Sequence, residues 1–175
     1  MLNLQEFIRE IPDFPIPGIL FRDITTLIEN GAAYHQAIEQ LAAQVSELGP
    51  IDVIAAPEAR GFIFAAPIAF TIKLPLIPIR KPGKLPYKTV TFTYELEYGS
   101  DSLQMHADSV KPGMRVLLVD DLLATGGTIK ACKDLIEREG GKVIGAAFLM
   151  ELAGLKGVDK INDIPICTLI SYPGA

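Results

Sequence analysis

Val116-Leu117-Leu118-Val119-Asp120-Asp121-Leu122-Leu123-Ala124-Thr125-Gly126-Gly127-Thr128 sets four apolar residues, two carboxylates and a small, glycine-bearing turn in a row. No polar residue interrupts Val116 to Val119, so they read as a fully buried strand of parallel type. Asp120 and Asp121 then fall at its carboxyl end, where open α/β sheets put their ligands. Ala124 to Thr128 combine small side chains with two threonine hydroxyls. Backbone N–H groups there can close around an anion at the start of the helical pattern that follows. Adjacent carboxylates at a buried strand end are costly unless something pairs with them. They repel phosphate, but they suit sugar hydroxyls, or a metal ion, further along the same ligand. A strand, an acidic pair and an anion cradle together describe a phosphorylated sugar. Two commoner phosphate signatures are absent: no Lys follows the glycines, and G-x-G-x-x-G does not occur here.

Outward from this stretch, helix and strand patterns alternate. Leu2 to Glu10 can form a short helix, and Pro12, Pro15 and Pro17 force an extended loop after it. Ala32 to Leu48 carries Ile38, Leu41, Val45 and Leu48 on one face of an amphipathic helix. Asp52 to Ala56 is a short strand, Gly61 to Ile72 a buried helix and Leu74 to Ile79 the next strand. Thr89 to Leu96 alternates and is rich in Thr, Phe and Tyr, which predicts a β-ribbon. Thr128 to Arg138 is a helix with Ile129, Cys132, Leu135 and Ile136 inward, ended by Gly140-Gly141. Val143 to Met150 and Ile166 to Ser171 are further strands. Strands separated by helices mean βαβ units, an α/β class and a mostly parallel sheet flanked by helices. Lys81 to Asp108 stands apart as a polar insertion between two core strands, suited to a flap over a site.

Composition agrees with one enzyme-sized domain spanning residues 1–175. The 175 residues leave room for a real core, and 49% of them are hydrophobic. That excludes a disordered chain. The net charge of −5 argues against a nucleic-acid binder with a broad basic face. Met1 to Glu6 has no basic leader and no long apolar run, so no signal peptide is expected. Gly61 to Ile72 is too short to span a bilayer and contains Pro67. Cys132 and Cys167 have no metal or redox spacing and read as small core residues, consistent with a cytoplasmic protein. His35 and His106 lie in no motif and read as structural or solvated.

Val116 to Thr128 resembles the phosphoribosyl diphosphate (PRPP) signature of the type I phosphoribosyltransferases. Four more segments resemble the adenine-using members of that family, in order along the chain. Phe14-Pro15-Ile16-Pro17-Gly18-Ile19-Leu20-Phe21-Arg22-Asp23-Ile24 is similar to their base-binding segment, and Glu58-Ala59-Arg60-Gly61-Phe62 to their diphosphate loop. Arg80-Lys81-Pro82-Gly83-Lys84-Leu85-Pro86 and Tyr94-Glu95-Leu96-Glu97-Tyr98-Gly99 match two further stretches. Pro57 departs from the family, where a small or β-branched residue is usual. The resemblance implies the type I fold, with an inserted β-ribbon flap over residues 81–108 and a small N-terminal base-binding hood over residues 1–30. It implies transfer of a phosphoribosyl group from PRPP to adenine, giving AMP and diphosphate, with Mg²⁺ carried by the diphosphate rather than by a dedicated protein cage.

The resemblance also distributes roles. Ala124, Thr125, Gly126, Gly127 and Thr128 would hold the 5′-phosphate, and Asp120 and Asp121 the ribose hydroxyls, with a carboxylate there also invoked to steady positive charge on the sugar. Glu58, Ala59 and Arg60, with an unusual cis peptide after Glu58, would face the diphosphate. Arg80, Lys81 and Lys84 form a basic cluster that in the family reaches the diphosphate, partly across a homodimer interface. The flap would bring Glu97 to the purine nitrogens for proton transfer, beside Tyr98, with Glu95 as its rival two residues away. Leu20, Phe21 and Arg22 would read the base, Phe21 by stacking, with Leu152 as an apolar wall. A non-catalytic regulator on the same fold would need a winged-helix or basic extension, and a 6-oxopurine enzyme a different base loop. Neither nucleic acid nor membrane is an expected partner.

Overall fold

The computed structural model describes residues 1–95 and 100–174, with the backbone alone at Glu95. Its N-terminus corrects one expectation. In place of a helix over Leu2 to Glu10, a 3₁₀ turn at Leu4–Phe7 leads into strand β1 (Arg9–Pro12). Strand β2 (Leu20–Asp23) pairs with it antiparallel, Arg9 opposite Asp23 and Pro12 opposite Leu20. The proline-rich loop is therefore a hairpin tip. Asp13 closes it by accepting from the Gly18 N–H at 2.7 Å, and the Phe14 N–H donates to the Ile19 carbonyl at 3.2 Å. A four-residue strand without alternating burial leaves too little periodicity to outweigh local helix preference.

Helix α1 (Thr25–Glu29) and helix α2 (Gly31–Ser46) follow, α2 capped by Asn30 accepting from the Ala33 N–H. The α2 face that is buried includes Ile38, Leu41 and Val45, as the periodicity predicts. Strand β3 (Val53–Pro57), helix α3 (Arg60–Ile72) and strand β4 (Leu76–Ile79) make the first βαβ unit. Pro67 sits inside α3 and has no N–H for the carbonyl of Ile63. Tyr34 on α2 replaces it, donating its hydroxyl to the Ile63 oxygen at 2.5 Å.

Strands β5 (Thr89–Glu95) and β6 (Ser100–His106) form the antiparallel ribbon. Then come β7 (Arg115–Leu123), α4 (Gly127–Arg138), β8 (Lys142–Leu152) and β9 (Ile166–Tyr172). The central sheet has five parallel strands in the order β4-β3-β7-β8-β9. Its two faces follow from the alternation along β7. Leu117 and Val119 pack with α2 and α3, whereas Val116 and Leu118 pack with α4 and the ribbon. The ribbon is more than a polar flap, because Leu103 and Met105 are buried in that second cluster. It also hooks onto the end of β4: the Arg80 N–H donates to the Gln104 carbonyl at 2.8 Å, and the Gln104 N–H returns the bond at 2.7 Å. Strand β7 runs on past Val119 because β8 continues beside it, pairing Asp120 with Phe148 and Leu123 with Glu151. The acidic pair thus belongs to a hydrogen-bonded strand, not to a loose loop.

Candidate active site

The carboxyl ends of β3 and β7 open onto one cleft of about 280 Å³. Glu58, Ala59 and Arg60 line one side, Asp120 and Asp121 the floor, and Ala124 to Thr128 the far wall. The topology explains the meeting. Strands β3 and β7 are neighbours, and their crossover helices α3 and α4 lie on opposite faces, so a crevice opens between the two strand ends.

Asp121 is 2% exposed. Its Oδ2 lies 3.1 Å from Arg60 Nε, an ion pair by distance in which the N–H is not aligned as a hydrogen bond, so the oxygen keeps a free lone pair. Asp120 Oδ1 accepts from the Asp121 N–H at 2.9 Å. Burial, followed by the charge of Asp121, pushes the Asp120 carboxyl well above the ordinary range. Burial raises Asp121 as well, against the opposing pull of Arg60. Such a pair gains from hydroxyl donors, which favour its charged form.

The far wall begins where β7 stops. Gly126 adopts φ +76° as the cap of α4, and Gly127 and Thr128 are the first residues of that helix. Unpaired N–H groups and the positive end of α4 therefore face the cleft. Nearby, Gly61 lets α3 approach the floor: a Cβ there would stand 2.9 Å from Asp120 Oδ1 and 3.1 Å from the Val119 carbonyl oxygen.

The peptide bond between Glu58 and Ala59 is cis, as the resemblance implies, and Pro57 ends β3 without preventing it. The Glu58 carboxylate turns toward the basic loop and accepts from Arg80 Nε at 2.7 Å and from the Lys81 N–H at 2.8 Å. Burial opposes its ionisation, but these donors prevail and its pKa is lowered. Arg80 also donates to the Lys84 carbonyl at 3.3 Å, and Lys81 forms an ion pair with Asp101 of the ribbon. Arg80, Lys81 and Lys84 stay outside the cleft wall of their own chain. Arg60 pairs with Asp121, and Arg80 with Glu58.

The hairpin meets this cleft at Arg60. The Phe21 ring meets Phe14 edge-on at 5.1 Å between centroids, and the Arg60 guanidinium lies 5.6 Å from it. Arg22 pairs with Glu10 and stacks 4.0 Å over the Tyr172 ring. Tyr172 is paired with Leu152 across β8 and β9, which ties Leu20, Phe21 and Arg22 to the strand end that carries Leu152. Leu152 itself borders a smaller hollow of about 130 Å³ with Leu123 and Glu151. Glu97 and Tyr98 lie outside the described residues, as does the Glu95 side chain. Cys132 is fully buried, and burial raises its thiol pKa, as for the half-buried Cys167. His35 is exposed beside Glu39 at 3.4 Å, and His106 packs 5.9 Å from Tyr87.

Sequence reasoning missed Tyr172, Gly61 as a packing residue and Gly157, whose backbone touches Ala124 and Gly126. Tyr172 lies one residue past the strand Ile166 to Ser171 that the pattern predicts, and Gly157 lies in a stretch with no motif. Among the described residues no three His, Cys, Asp or Glu side chains gather as a metal site. No helix among them is long and apolar enough to cross a membrane.

This architecture has close relatives. Residues 25–170 match the phosphoribosyl transferase domain. The adenine phosphoribosyltransferase of Brevibacillus brevis is 53% identical over 98% of this chain and 100% of its own. The crystal structure of adenine phosphoribosyltransferase from Thermoanaerobacter pseudethanolicus superposes with a TM-score of 0.92 at 50% identity, covering 97% of this chain and 98% of that one. The Saccharomyces cerevisiae enzyme, complexed with an imino-altritol bisphosphate and adenine, gives 0.89 at 35% identity over 94% and 95% of the two chains. By the match over residues 25–170, by relatives half identical along nearly their whole length and by the shared five-stranded parallel sheet, the chain belongs to the phosphoribosyltransferase family, among the adenine phosphoribosyltransferases.

Proposed function

We propose that the chain is a purine-salvage enzyme that transfers the 5-phosphoribosyl group of PRPP to N9 of adenine, releasing AMP and diphosphate. One observation carries the reading: Asp120, the buried Asp121, the amide wall Ala124 to Thr128 and Arg60 line the same cleft. That spacing suits a sugar with a phosphate at one end and a diphosphate at the other. Ala124, Thr125, Gly126, Gly127 and Thr128 bind the 5′-phosphate through N–H groups and hydroxyls. Asp120 and Asp121 accept from the ribose hydroxyls and face the oxocarbenium-like sugar as the anomeric bond breaks. Arg60, with the amides around Glu58 and Ala59, receives the departing diphosphate. Glu58 holds Arg80 in position, and Arg80, Lys81 and Lys84 add positive charge. Mg²⁺ would enter with the diphosphate and supply positive charge there, held by substrate oxygens and water rather than by a protein cage. The carboxylates of the cleft fit that arrangement, since Glu58 is engaged by Arg80 and Asp121 is buried beside Arg60.

Leu20, Phe21, Arg22 and Leu152 form the adenine pocket, and Glu97 beside Tyr98 takes the purine proton, with Glu95 as the alternative. The whole chain, residues 1–175, acts as one domain in the cytoplasm, with residues 81–108 as flap. A homodimer fits the surface, because Phe70 on α3 is 87% exposed and Arg80 and Lys84 are not engaged by their own cleft. The deciding experiment measures labelled AMP from adenine, PRPP and Mg²⁺, with hypoxanthine, guanine and xanthine as parallel acceptors. Adenine alone should react. Reaction with a 6-oxopurine would overturn the base pocket, and tight PRPP binding without transfer would indicate a regulator.

A further inference from the structure

The anion loop has a back as well as a front. Behind it, beyond the end of β8, a tight turn runs from Ala153 through two 3₁₀ segments, Ala153–Leu155 and Gly157–Lys160. Gly157 presses against the loop with bare backbone. A Cβ at Gly157 would lie 2.2 Å from the Ala124 carbonyl oxygen and 3.0 Å from the Gly126 nitrogen. The contact is mutual, since a Cβ at Gly126 would lie 2.5 Å from the Gly157 carbonyl oxygen. Gly126 also needs glycine for its φ of +76°, but no positive φ is recorded at Gly157. Space alone requires glycine at Gly157.

The turn is itself held rigidly. Ile161 is fully buried in the cluster beneath α4, with Val158 and Ile164 packed against it. Lys133 of α4, 7% exposed, reaches Asp163 at 2.9 Å and Glu137 at 3.0 Å. The loop thus cannot move back without displacing a strut anchored on its own helix.

We propose that Gly157 is a positioning residue for phosphate recognition: its backbone fixes the Ala124–Gly126 arc so that the loop's N–H groups converge on the 5′-phosphate. The proposal rests on reading Ala124 to Thr128 as that cradle. A methyl group at Gly157 must push Ala124 and Gly126 toward the cleft. Displacements near 1 Å in such positioning elements cost up to about 100-fold. The loss falls on the phosphate end of the ligand, not on the base end.

The test compares AMP with adenosine, which lacks the phosphate, by titration calorimetry on the full chain. Wild type should prefer AMP strongly. Gly157→Ala should lose about 10–100-fold of that preference while binding adenosine as before, with cooperative melting retained. Lys133→Met, which frees the strut without inserting atoms, should lose preference in the same direction but by less. A folded Gly157→Ala that keeps the wild-type preference overturns the positioning role. If that variant does not fold, an unchanged preference in Lys133→Met does so. A wild type that binds both ligands equally removes the cradle reading, and the proposal with it.

Discussion

Arg60 and Asp121 meet at 3.1 Å across the floor of the cleft, joining the first turn of α3 to the central strand β7. The carboxylate is buried and the guanidinium is partly exposed, so the pair is tethered on one side and free on the other. Before substrate arrives, Arg60 offsets part of the cost of a charge on Asp121. If Arg60 receives the diphosphate, as proposed, the same cation gains a second anion to share. Under that proposal diphosphate binding and the acidic floor are coupled through one side chain.

Replacing Arg60 with Ala should therefore do two things. Loss of a cation at the leaving group should lower kcat/KM for PRPP by about 10²–10³. Removing a neighbouring positive charge also raises the Asp121 pKa further. If ionised Asp121 accepts the sugar hydroxyl, the acid limb of kcat/KM against pH moves to higher pH. A lowered rate with an unmoved acid limb would separate Arg60 from Asp121 in the reaction.

Asp120→Asn should trade function for stability, with a definite pH signature. The folded pKa of Asp120 is raised by burial and by Asp121, while the unfolded chain ionises near the ordinary value of about 3.9. Above that value the unfolded state binds fewer protons than the folded one, so the wild type loses stability as pH climbs toward the raised pKa. Asparagine does not titrate. The variant's urea midpoint should gain on the wild type as pH rises above the unfolded value of about 3.9, while PRPP turnover falls. A gap that narrows over this range would mean that the carboxyl is not destabilised by burial.

The central stretch was legible because its signals agree: an uninterrupted apolar strand, an acidic pair and a small-residue turn before a helix. The βαβ order and the inward faces of α2 and α4 were legible for the same reason, since periodicity reports burial directly. Three things were hidden. Strand β1 has no pattern of its own and exists only because β2 lies beside it. The pairing of Arg60 with Asp121 and of Arg80 with Glu58 depends on which loop faces which strand end, and spacing along the chain does not encode that. Gly157 looks like any turn glycine until the loop it touches, some thirty residues earlier, is folded against it.

Gly61→Ala tests how tightly the floor is built. The added methyl meets Asp120 Oδ1 at 2.9 Å, the Val119 carbonyl at 3.1 Å and the Pro57 ring at 3.2 Å. All three neighbours belong to strands, and the Val119 carbonyl is backbone that cannot swing aside. Overpacking of this kind costs about 1–3 kcal/mol, read as a lower urea midpoint with an unchanged slope. Because the same methyl pushes on Asp120, PRPP use should fall more than stability alone explains. Full activity with full stability would show that α3 can slide away from β7.

At the opposite end of the sheet, Asp52 clamps Arg115 where β3 and β7 begin. Its carboxylate accepts from the Arg115 N–H at 2.7 Å, from Nε at 2.9 Å and from Nη2 at 2.6 Å. These bonds hold its pKa down to about 2. A depressed carboxyl pKa contributes stability that is fully present above the unfolded value and is lost as pH falls through the folded one. Asp52→Asn should therefore be less stable than wild type at pH 6, and the two should converge between about pH 4 and pH 2. Denaturant midpoints across that range read the difference. The clamp lies away from the cleft, so AMP formation at neutral pH should stay at the wild-type rate. A stability gap that ignores pH would mean that the side chain contributes through shape and neutral hydrogen bonding, and the charge of Asp52 would then contribute nothing to holding β3 against β7.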